Sequence, residues 1–235
     1  MKFAIIAAGE GSRLSQEGVR LPKPLVQLEG TAMIDRLVHI FAANGAEEVV
    51  VIINNEVPLT KAHLSGLAQT SEVPLRVIVK TTPSSMHSFY ELSPYLKEDR
   101  FCLTTVDTIF REDEFARFIE AFKASDKDGM MAVTDYIDDE KPLYIGTDEN
   151  LNITGFYDKP ASDTKYISGG IYCLTPQAIG TLERCIREGM SRMRNFQRQL
   201  VSDGLRLEAY PFSKILDVDH AGDITKAEAF LNGKE

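Results

Sequence analysis

An apolar run near the start of the chain breaks into a loop of small and charged residues, and this transition constrains the fold most strongly. The run covers residues 3–8 and is short enough for one buried strand. The loop Gly9-Glu10-Gly11-Ser12-Arg13 follows at once, and Lys23 lies between two prolines a little further on. A strand that ends in a glycine loop offers backbone N–H donors, and Arg13 and Lys23 add two cations. Residues 3–28 therefore predict a site for an anion that carries several phosphates.

Two familiar phosphate-binding motifs do not fit this stretch. The dinucleotide-binding fingerprint requires a third glycine, and Leu14 stands at that position, which disfavours a Rossmann dehydrogenase. The sequence also lacks the GxxxxGK(S/T) loop of the P-loop NTPases. The stretch therefore predicts a phosphate site of another type.

Three blocks of sequence together are more specific than the glycine loop alone. The blocks AAGEGSRL, PKPLV and EGTAMIDRLV resemble the signature of the nucleotidyltransferases that make nucleotide-activated sugars and alcohols. That family's pattern is roughly AAGxG(S/T)RL, PKxL and GxPxI, and Ala32 stands where the third block usually has proline. The resemblance continues in weaker form to the C-terminus. It implies an α/β, GT-A-like nucleotidyltransferase fold, in which helices flank a Rossmann-like, mixed and mostly parallel sheet with a small antiparallel acceptor-binding layer.

The composition is that of an ordinary globular chain. Hydrophobic residues make up 43% and charged residues 26% of the sequence, and the net charge of −9 argues against a nucleic-acid-binding protein. No apolar run reaches the roughly 18 residues of a membrane span, and Met1 leads directly into a strand, so we expect no membrane segment and no signal peptide. Cys102, Cys173 and Cys185 lie in apolar segments, which predicts three reduced core thiols in a cytoplasmic protein.

Strand and helix patterns alternate in the first half of the chain and change in the second. The alternation predicts parallel strands with helices on both faces, whereas strands without intervening helices follow residue 129. We expect a single nucleotidyltransferase domain over residues 1–235, with a nucleotide-binding half at 1–125 and an acceptor-binding half at 126–235. The predicted strands are residues 3–8, 48–53, 75–79, 101–106, 130–136, 143–147, 153–157, 166–174 and 205–211. The predicted helices are residues 33–44, 59–67, 84–96, 112–124, 176–187, 193–202 and 223–231.

The resemblance implies a role for each part of the opening stretch. Arg13 would bind the departing β and γ phosphates, and Lys23 would reach the α-phosphate region. A bidentate guanidinium suits a group that leaves as pyrophosphate. The alternative is an ordinary surface Arg and Lys in a loop. The residues assigned to catalysis are Arg13, Lys23 and Asp107, and those assigned to the nucleotide are Ala7, Ala8, Gly9, Gly11, Ser12, Arg13, Lys23 and Ser88.

Carboxylates at two distant places are candidates for a magnesium site. Asp107 follows a predicted strand, where the family has its first Mg²⁺ ligand, although a turn or helix-cap residue is the alternative. A second carboxylate is expected, because Mg²⁺ takes one or two carboxylates with phosphate oxygens and water. The segment ILDVDH at 215–220 resembles the family's WxDxxTPEDL block and places Asp217 at the metal-binding position. Asp219 is a near-equal candidate, because residues two apart in an extended strand face the same way.

Residues in the second half resemble the family's acceptor pocket. The segment GFYDKP resembles F-x-E-K-P, in which the lysine, here Lys159, holds the phosphate of the acceptor. The glycine pair Gly169 and Gly170 resembles the pair that lets a sugar lie against backbone. An ordinary hairpin turn is the alternative for GFYDKP. Residues 80–88 lie where the family recognises the nucleotide base. The segment SMHS in this stretch is more similar to the cytidylyltransferases for choline phosphate than to the sugar nucleotidyltransferases. Ser88 is either a nucleotide contact or a helix-surface serine.

The sequence thus predicts an Mg²⁺-dependent nucleotidyltransferase. It would join an NTP to a phosphorylated small acceptor such as a sugar 1-phosphate and release pyrophosphate, with no nucleic-acid or membrane partner. Transfer of CMP to choline phosphate or a polyol phosphate is the close alternative. A non-catalytic nucleotide sensor on the same fold is the alternative from a different class. The base, the acceptor and the oligomeric state are left open by the sequence.

Overall fold

The computed structural model describes residues 1–138, 140–162 and 164–233. Its strands are β1 (Lys2–Ala7), β2 (Gln27–Leu28), β3 (Thr31–Ala32), β4 (Val49–Ile53), β5 (Leu75–Val79), β6 (Phe101–Thr105), β7 (Thr108–Ile109), β8 (Gly129–Thr134), β9 (Tyr144–Thr147), β10 (Ile153–Tyr157), β11 (Thr164–Leu174), β12 (Leu207–Pro211) and β13 (Leu216–Asp217). Its α-helices are α1 (Ser12–Gln16), α2 (Met33–Ala43), α3 (Pro58–Thr70), α4 (Ser85–Leu92), α5 (Glu112–Ala124), α6 (Gln177–Arg187), α7 (Met193–Ser202) and α8 (Ala221–Leu231).

Nine strands of the described chain form one mixed sheet. Its main order is β10-β9-β11-β6-β1-β4-β5, with β8 beside β11 and β12 beside β8. Strands β6, β1, β4 and β5 run parallel, whereas β11 runs antiparallel to β6, β8 and β9. The predicted α/β class is confirmed, and the antiparallel strands of the second half extend the same sheet as the parallel ones.

Alternate side chains of the buried strands face two hydrophobic cores, one on each side of the sheet. In β1, Phe3 and Ile5 face the core that contains residues of α2, α5 and α8, whereas Ala4 and Ile6 face the core that contains residues of α4, α6 and α7. The run at 48–53 is nearly all β-branched, and such residues suit a pleated strand that is buried on both faces. Helices therefore cover both faces of the sheet, as the alternating pattern predicts.

Most predicted boundaries lie within a few residues of the observed ones, and two differ for clear physical reasons. The helix predicted at 84–96 ends at Leu92 and continues as a 3-10 turn over Ser93–Tyr95 that contains Pro94. Proline lacks the N–H group that would continue an α-helix. The last helix begins at Ala221, before the predicted residue 223, because Asp223 caps it from inside its first turn.

The topology places the ends of the parallel strands next to a segment from the far end of the chain. Strand β7 follows β6 after a short turn and pairs antiparallel with β13, with Thr108 opposite Asp217. Residues 216–219 therefore lie beside the carboxyl end of β6. Across the residues that the structure describes, no helix has the length and apolar character needed to span a membrane.

Candidate active site

The glycine loop at the end of β1 depends on one glycine for its shape. Gly11 has a φ of +62°, which side chains disfavour, and it caps the short helix α1 that carries Arg13. A Cβ atom on Gly11 would lie 3.0 Å from Cβ of Lys23, closer than carbon atoms normally approach. Glycine at this position therefore allows the loop to pack directly against the turn that presents Lys23.

Lys23 lies between two carboxylates from distant parts of the chain. Its Nζ donates to a carboxylate oxygen of Asp107 and, at 2.7 Å, to Oδ1 of Asp219. The side chains of Lys23, Asp107 and Asp219 are 11%, 18% and 32% exposed, so this cluster is largely shielded from water. Burial alone would lower the pKa of the Lys23 ammonium, but the charges and hydrogen bonds of Asp107 and Asp219 outweigh it, and the pKa lies above its usual value. Lys23 is therefore a fixed cation.

Arg13 extends this cluster toward solvent. Its Nη2 lies 2.9 Å from Oδ2 of Asp219, so the two oxygens of that carboxylate bind two different cations. The Arg13 side chain is half exposed. A guanidinium at the rim, with Lys23 behind it, presents positive charge to a ligand that enters from solvent.

Asp107 is held by the turn between β6 and β7. The hydroxyls of Thr105 and Thr108 hydrogen-bond across this turn at 2.8 Å. The backbone N–H of Val218 donates to the Asp107 carbonyl at 3.1 Å. The turn is thus tied to the segment that carries Asp219, which brings the two carboxylates to one place.

Two cavities meet at this cluster. The first, of about 430 Å³, is called the loop cavity and lies between the glycine loop, the start of α4 and the Asp107 turn. The second, of about 400 Å³, is called the C-terminal cavity and lies between the end of β8, the middle of β11 and residues 215–226. Arg13 and Asp219 line both cavities. A ligand in one cavity and a ligand in the other would therefore approach the same charged cluster.

Comparison with known proteins places the chain in a family. The family model described as nucleotidyl transferase matches residues 2–233. The chain belongs to this family. Among curated relatives of this transferase, the glucose-1-phosphate cytidylyltransferase of Salmonella typhimurium is 22% identical over 204 residues, which cover 78% of each chain. The mannose-1-phosphate guanyltransferase of Schizosaccharomyces pombe is 28% identical over 190 residues, which cover 78% of this chain but 52% of that protein.

Solved structures share the fold of this transferase over nearly its whole length. A putative glucose-1-phosphate thymidylyltransferase from Bacillus anthracis superposes with a TM-score of 0.84 at 19% identity, covering 98% of this chain and 94% of that one. The inositol-1-phosphate CTP transferase from T. maritima superposes with a TM-score of 0.80 at 18% identity, covering 97% and 96%. At such identities the likeness establishes the fold.

The loop cavity of the transferase brings together most residues assigned to the nucleotide and to catalysis. Among the residues assigned to the nucleotide, Ala7 is the exception, because it is buried at the end of β1 and lines a smaller neighbouring cavity. Ser88 is 2% exposed and hydrogen-bonds the Thr82 hydroxyl at 2.6 Å, so it is not a helix-surface serine. The assigned residues that line the loop cavity are Ala8, Gly9, Gly11, Ser12, Arg13, Lys23, Ser88, Asp107 and Asp219.

The two candidates for the second metal ligand lie in different surroundings. Asp219 contacts Lys23 and Arg13 and lines both cavities. Asp217 lines the C-terminal cavity, where its side chain is more exposed. Burial raises the pKa of the Tyr172 hydroxyl to about 12, and the negative charges of Asp217 and Asp107 add to that rise. Asp217 is therefore within electrostatic range of the same region.

The residues assigned to the acceptor do not form one group. Lys159 is exposed beyond the end of β10 and lines neither cavity, whereas Gly169 lines the C-terminal cavity. A Cβ on Gly169 would lie 2.2 Å from Cδ1 of Ile215, and a Cβ on Gly170, at a φ of +73°, would lie 3.2 Å from the Thr108 hydroxyl. The glycine pair thus allows β11 to pack under both carboxylate-bearing segments. Contact of these residues with an acceptor stays a prediction.

Other charged contacts near the site were not predicted from the sequence. Asp158, next to Lys159, accepts hydrogen bonds from Arg194 at 2.6 Å and pairs with Arg198 at 2.8 Å. Glu17 contacts His220 and the start of α8. The four-residue spacing of the two arginines on one helix is a signal that marks a shared face, but the sequence does not show which carboxylate they meet.

Proposed function

We propose that this nucleotidyl transferase moves the NMP group of an NTP to a phosphorylated small acceptor, a sugar 1-phosphate, and releases pyrophosphate. The observation that carries the proposal is the placement of Lys23 between Asp107 and Asp219 in the loop cavity. Such a cluster supplies both the cations that a triphosphate needs and the carboxylates that a divalent metal needs. Relatives named for glucose 1-phosphate and mannose 1-phosphate support a sugar phosphate as the acceptor.

In this proposal, the glycine loop and its cations bind and orient the triphosphate. Gly9 and Gly11 let backbone approach the phosphates, and Arg13 at the rim neutralises the pyrophosphate as it leaves. Lys23 holds the α-phosphate, where charge builds up as an oxygen of the acceptor phosphate attacks. No general base is needed, because a phosphate monoester is already anionic at neutral pH. The work of the protein is positioning and charge neutralisation.

The donor chemistry of the cluster fits Mg²⁺. Asp107 and Asp219 both bind the Lys23 ammonium, so their oxygens converge on one point. Across residues 1–138, 140–162 and 164–233, no group of three or more His, Cys, Asp or Glu is arranged to hold a metal. Two carboxylates with phosphate oxygens and water are the usual environment of Mg²⁺ in such sites. When bound, the metal would supply positive charge beside the attacked phosphate. We propose Asp107 and Asp219 as its protein ligands, with Asp217 on the acceptor side.

The charge of the C-terminal cavity narrows the class of acceptor. Its described lining includes five carboxylates, against the two cations Lys226 and Arg13. Lys226 pairs with Asp138 at 2.9 Å and with Asp223 at 3.3 Å. Arg13 pairs with Asp219 at 2.9 Å. The cavity is therefore net negative, and like charges placed together cost several kcal/mol. We propose that the end of the acceptor away from its phosphate is a neutral polyol or a cation.

The negative charge of the C-terminal cavity also favours a second class of acceptor, one that carries a cation. Tyr136 lines the same cavity and has the Lys214 ammonium 4.3 Å from its ring centroid. An aromatic ring among carboxylates suits a cation, and a quaternary ammonium group would displace the Lys214 ammonium or bind the other face of the ring. Choline phosphate is therefore the second candidate acceptor. From the resemblance of GFYDKP to F-x-E-K-P, we propose that Lys159 holds the acceptor phosphate in either case, which would require its exposed side chain to reach the C-terminal cavity that it does not line in this structure.

A pyrophosphate-release screen tests the function. Each of the four NTPs is combined with glucose, mannose and inositol 1-phosphates, choline phosphate and glucuronic acid 1-phosphate, in the presence of Mg²⁺. We expect turnover with a neutral or cationic acceptor and little with the acidic sugar. Release of pyrophosphate with none of these acceptors would contradict the proposal.

Three variants test the metal assignment and separate an enzyme from a nucleotide sensor. Asp107→Ala should lose turnover by orders of magnitude, because the metal would lack a ligand. Asp219→Asn should also lose most activity, and Asp217→Asn should lose less. An Asp107→Ala protein that still releases pyrophosphate at the normal rate would show that the metal assignment is wrong.

We also propose a cytoplasmic location, supported by the buried, free thiols of Cys102, Cys173 and Cys185.

A further inference from the structure

The side chain of the residue that follows α1 contacts the start of α8. Glu17 directly follows α1, and its Oε1 lies 2.6 Å from Nδ1 of His220. Its Oε2 accepts a hydrogen bond from the backbone N–H of Ala221, also at 2.6 Å. These contacts join parts of the chain that are 203 and 204 positions apart. They have no part in the phosphate chemistry proposed above.

The contacts of Glu17 complete a set of hydrogen bonds around Asp219. Asp223 accepts from the backbone N–H groups of Asp219 at 3.1 Å and His220 at 2.8 Å. Asp223 lies on α8 itself, so it fixes the segment only relative to its own helix. Glu17 fixes the next N–H group relative to the loop that carries Arg13. A carboxylate at the start of a helix is also favourable because free N–H groups point toward it.

We infer that Glu17 is a positioning residue, which holds Asp219 in register with Arg13 and Lys23 through the backbone of Ala221 and the ring of His220. The inference rests on the proposed function, since it assigns Glu17 a role through Asp219. The oxygens of Asp219 lie 2.7 Å from Lys23 and 2.9 Å from Arg13. A displacement of about 1 Å would break both contacts, and misplacement of that size costs roughly a hundred-fold in rate.

Three substitutions test the role of Glu17. Glu17→Ala removes both contacts, and kcat should fall roughly ten- to hundred-fold with a smaller change in the KM for NTP. Glu17→Gln keeps one oxygen for the Ala221 N–H and an amide for the His220 ring, so it should retain most activity. Glu17→Asp keeps the charge but shortens the reach, and it should behave like Glu17→Ala while preserving the fold.

Glu228→Ala is the matched control. Glu228 also links α8 to the N-terminal half, because its carboxylate accepts from the backbone N–H of Glu29 at 3.1 Å. Its loss should also lower the melting temperature, while kcat stays within about two-fold of the parent enzyme. If Glu228→Ala lowers kcat as much as Glu17→Ala, the effect is one of general stability and the inference is wrong.

A double-mutant cycle with Asp219→Asn separates this inference from the proposed function. If Glu17 acts through Asp219, Glu17→Ala should reduce kcat little further in the Asp219→Asn protein. Losses that multiply would overturn the role of Glu17 while leaving the proposed function intact. Full activity of Asp219→Asn alone would overturn the site assignment and the inference together.

Discussion

Gly11→Ala should damage the enzyme in two separable ways. The φ of +62° at Gly11 lies in the left-handed region, where a Cβ costs about 1–2 kcal/mol. For a chain of this size each kcal/mol corresponds to about 2–4 °C in melting temperature. The first effect is therefore a modest loss of stability, which is measured by thermal unfolding.

The second effect is local and follows from the contact with Lys23. The new Cβ would lie 3.0 Å from Cβ of Lys23, so the Lys23 side chain must shift by a few tenths of an ångström to relieve the contact. The ammonium lies 2.7 Å from Asp219, and such a shift stretches this contact toward about 3.2 Å, the upper end of the normal hydrogen-bond range. We expect kcat/KM to fall by up to roughly ten-fold.

Gly45→Ala is the control for the first effect. Gly45 has a φ of +75° after the end of α2, and nothing lies within 4 Å of a Cβ placed there. It should lose a similar amount of stability and keep its activity in the pyrophosphate assay. Equal activity in the two variants, or an equal loss of activity in both, would refute the argument that the Gly11–Lys23 contact positions the cation.

Three further predictions test other parts of the structure. Gly169→Ala should destabilise the chain by about 1–3 kcal/mol through overpacking, and Ile215→Val in the same chain should recover part of this loss in thermal unfolding, because it removes the atom 2.2 Å from the new Cβ. Lys23→Met should bind Mn²⁺ more tightly than the parent when no nucleotide is present, as followed by EPR, because the ammonium no longer shares the two carboxylates; unchanged affinity would argue against a metal at these oxygens. The hydrogen bond from Arg184 holds the pKa of Asp203 below its usual 3.8, so this carboxylate stabilises the fold above that value and less as the pH falls through the folded pKa. The difference in melting temperature between the parent and Asp203→Asn should therefore be largest near neutral pH and should approach zero in acid.

Local sequence patterns account for much of the sheet and its helices. The apolar run before Gly9 predicts β1, and the β-branched run before Asn54 predicts β4, because these patterns leave few other structures open. The glycine loop predicts a phosphate site for the same reason. The division into one domain with two halves stays a prediction.

The arrangement of the second carboxylate could not be read from the sequence. Residues two apart face the same way only in a continuous strand, and β13 ends at Asp217, so Asp219 follows a different path. Which of the two meets Lys23 depends on contacts of Val218 and Glu17 with distant backbone. The packing of Gly169 against Ile215 is likewise set by tertiary structure. Such long-range contacts cannot be predicted from the local spacing of residues.

Lys23 gives this enzyme a particular order of assembly. Its partners Asp107 and Asp219 are 84 and 196 positions away along the chain. During synthesis the N-terminal part emerges first, and contacts that close long loops form late. A growing chain therefore carries the cations for a triphosphate well before it carries the carboxylate that completes the cluster. On the proposed function, we expect no turnover of nucleotide until residue 219 has emerged and docked beside Lys23.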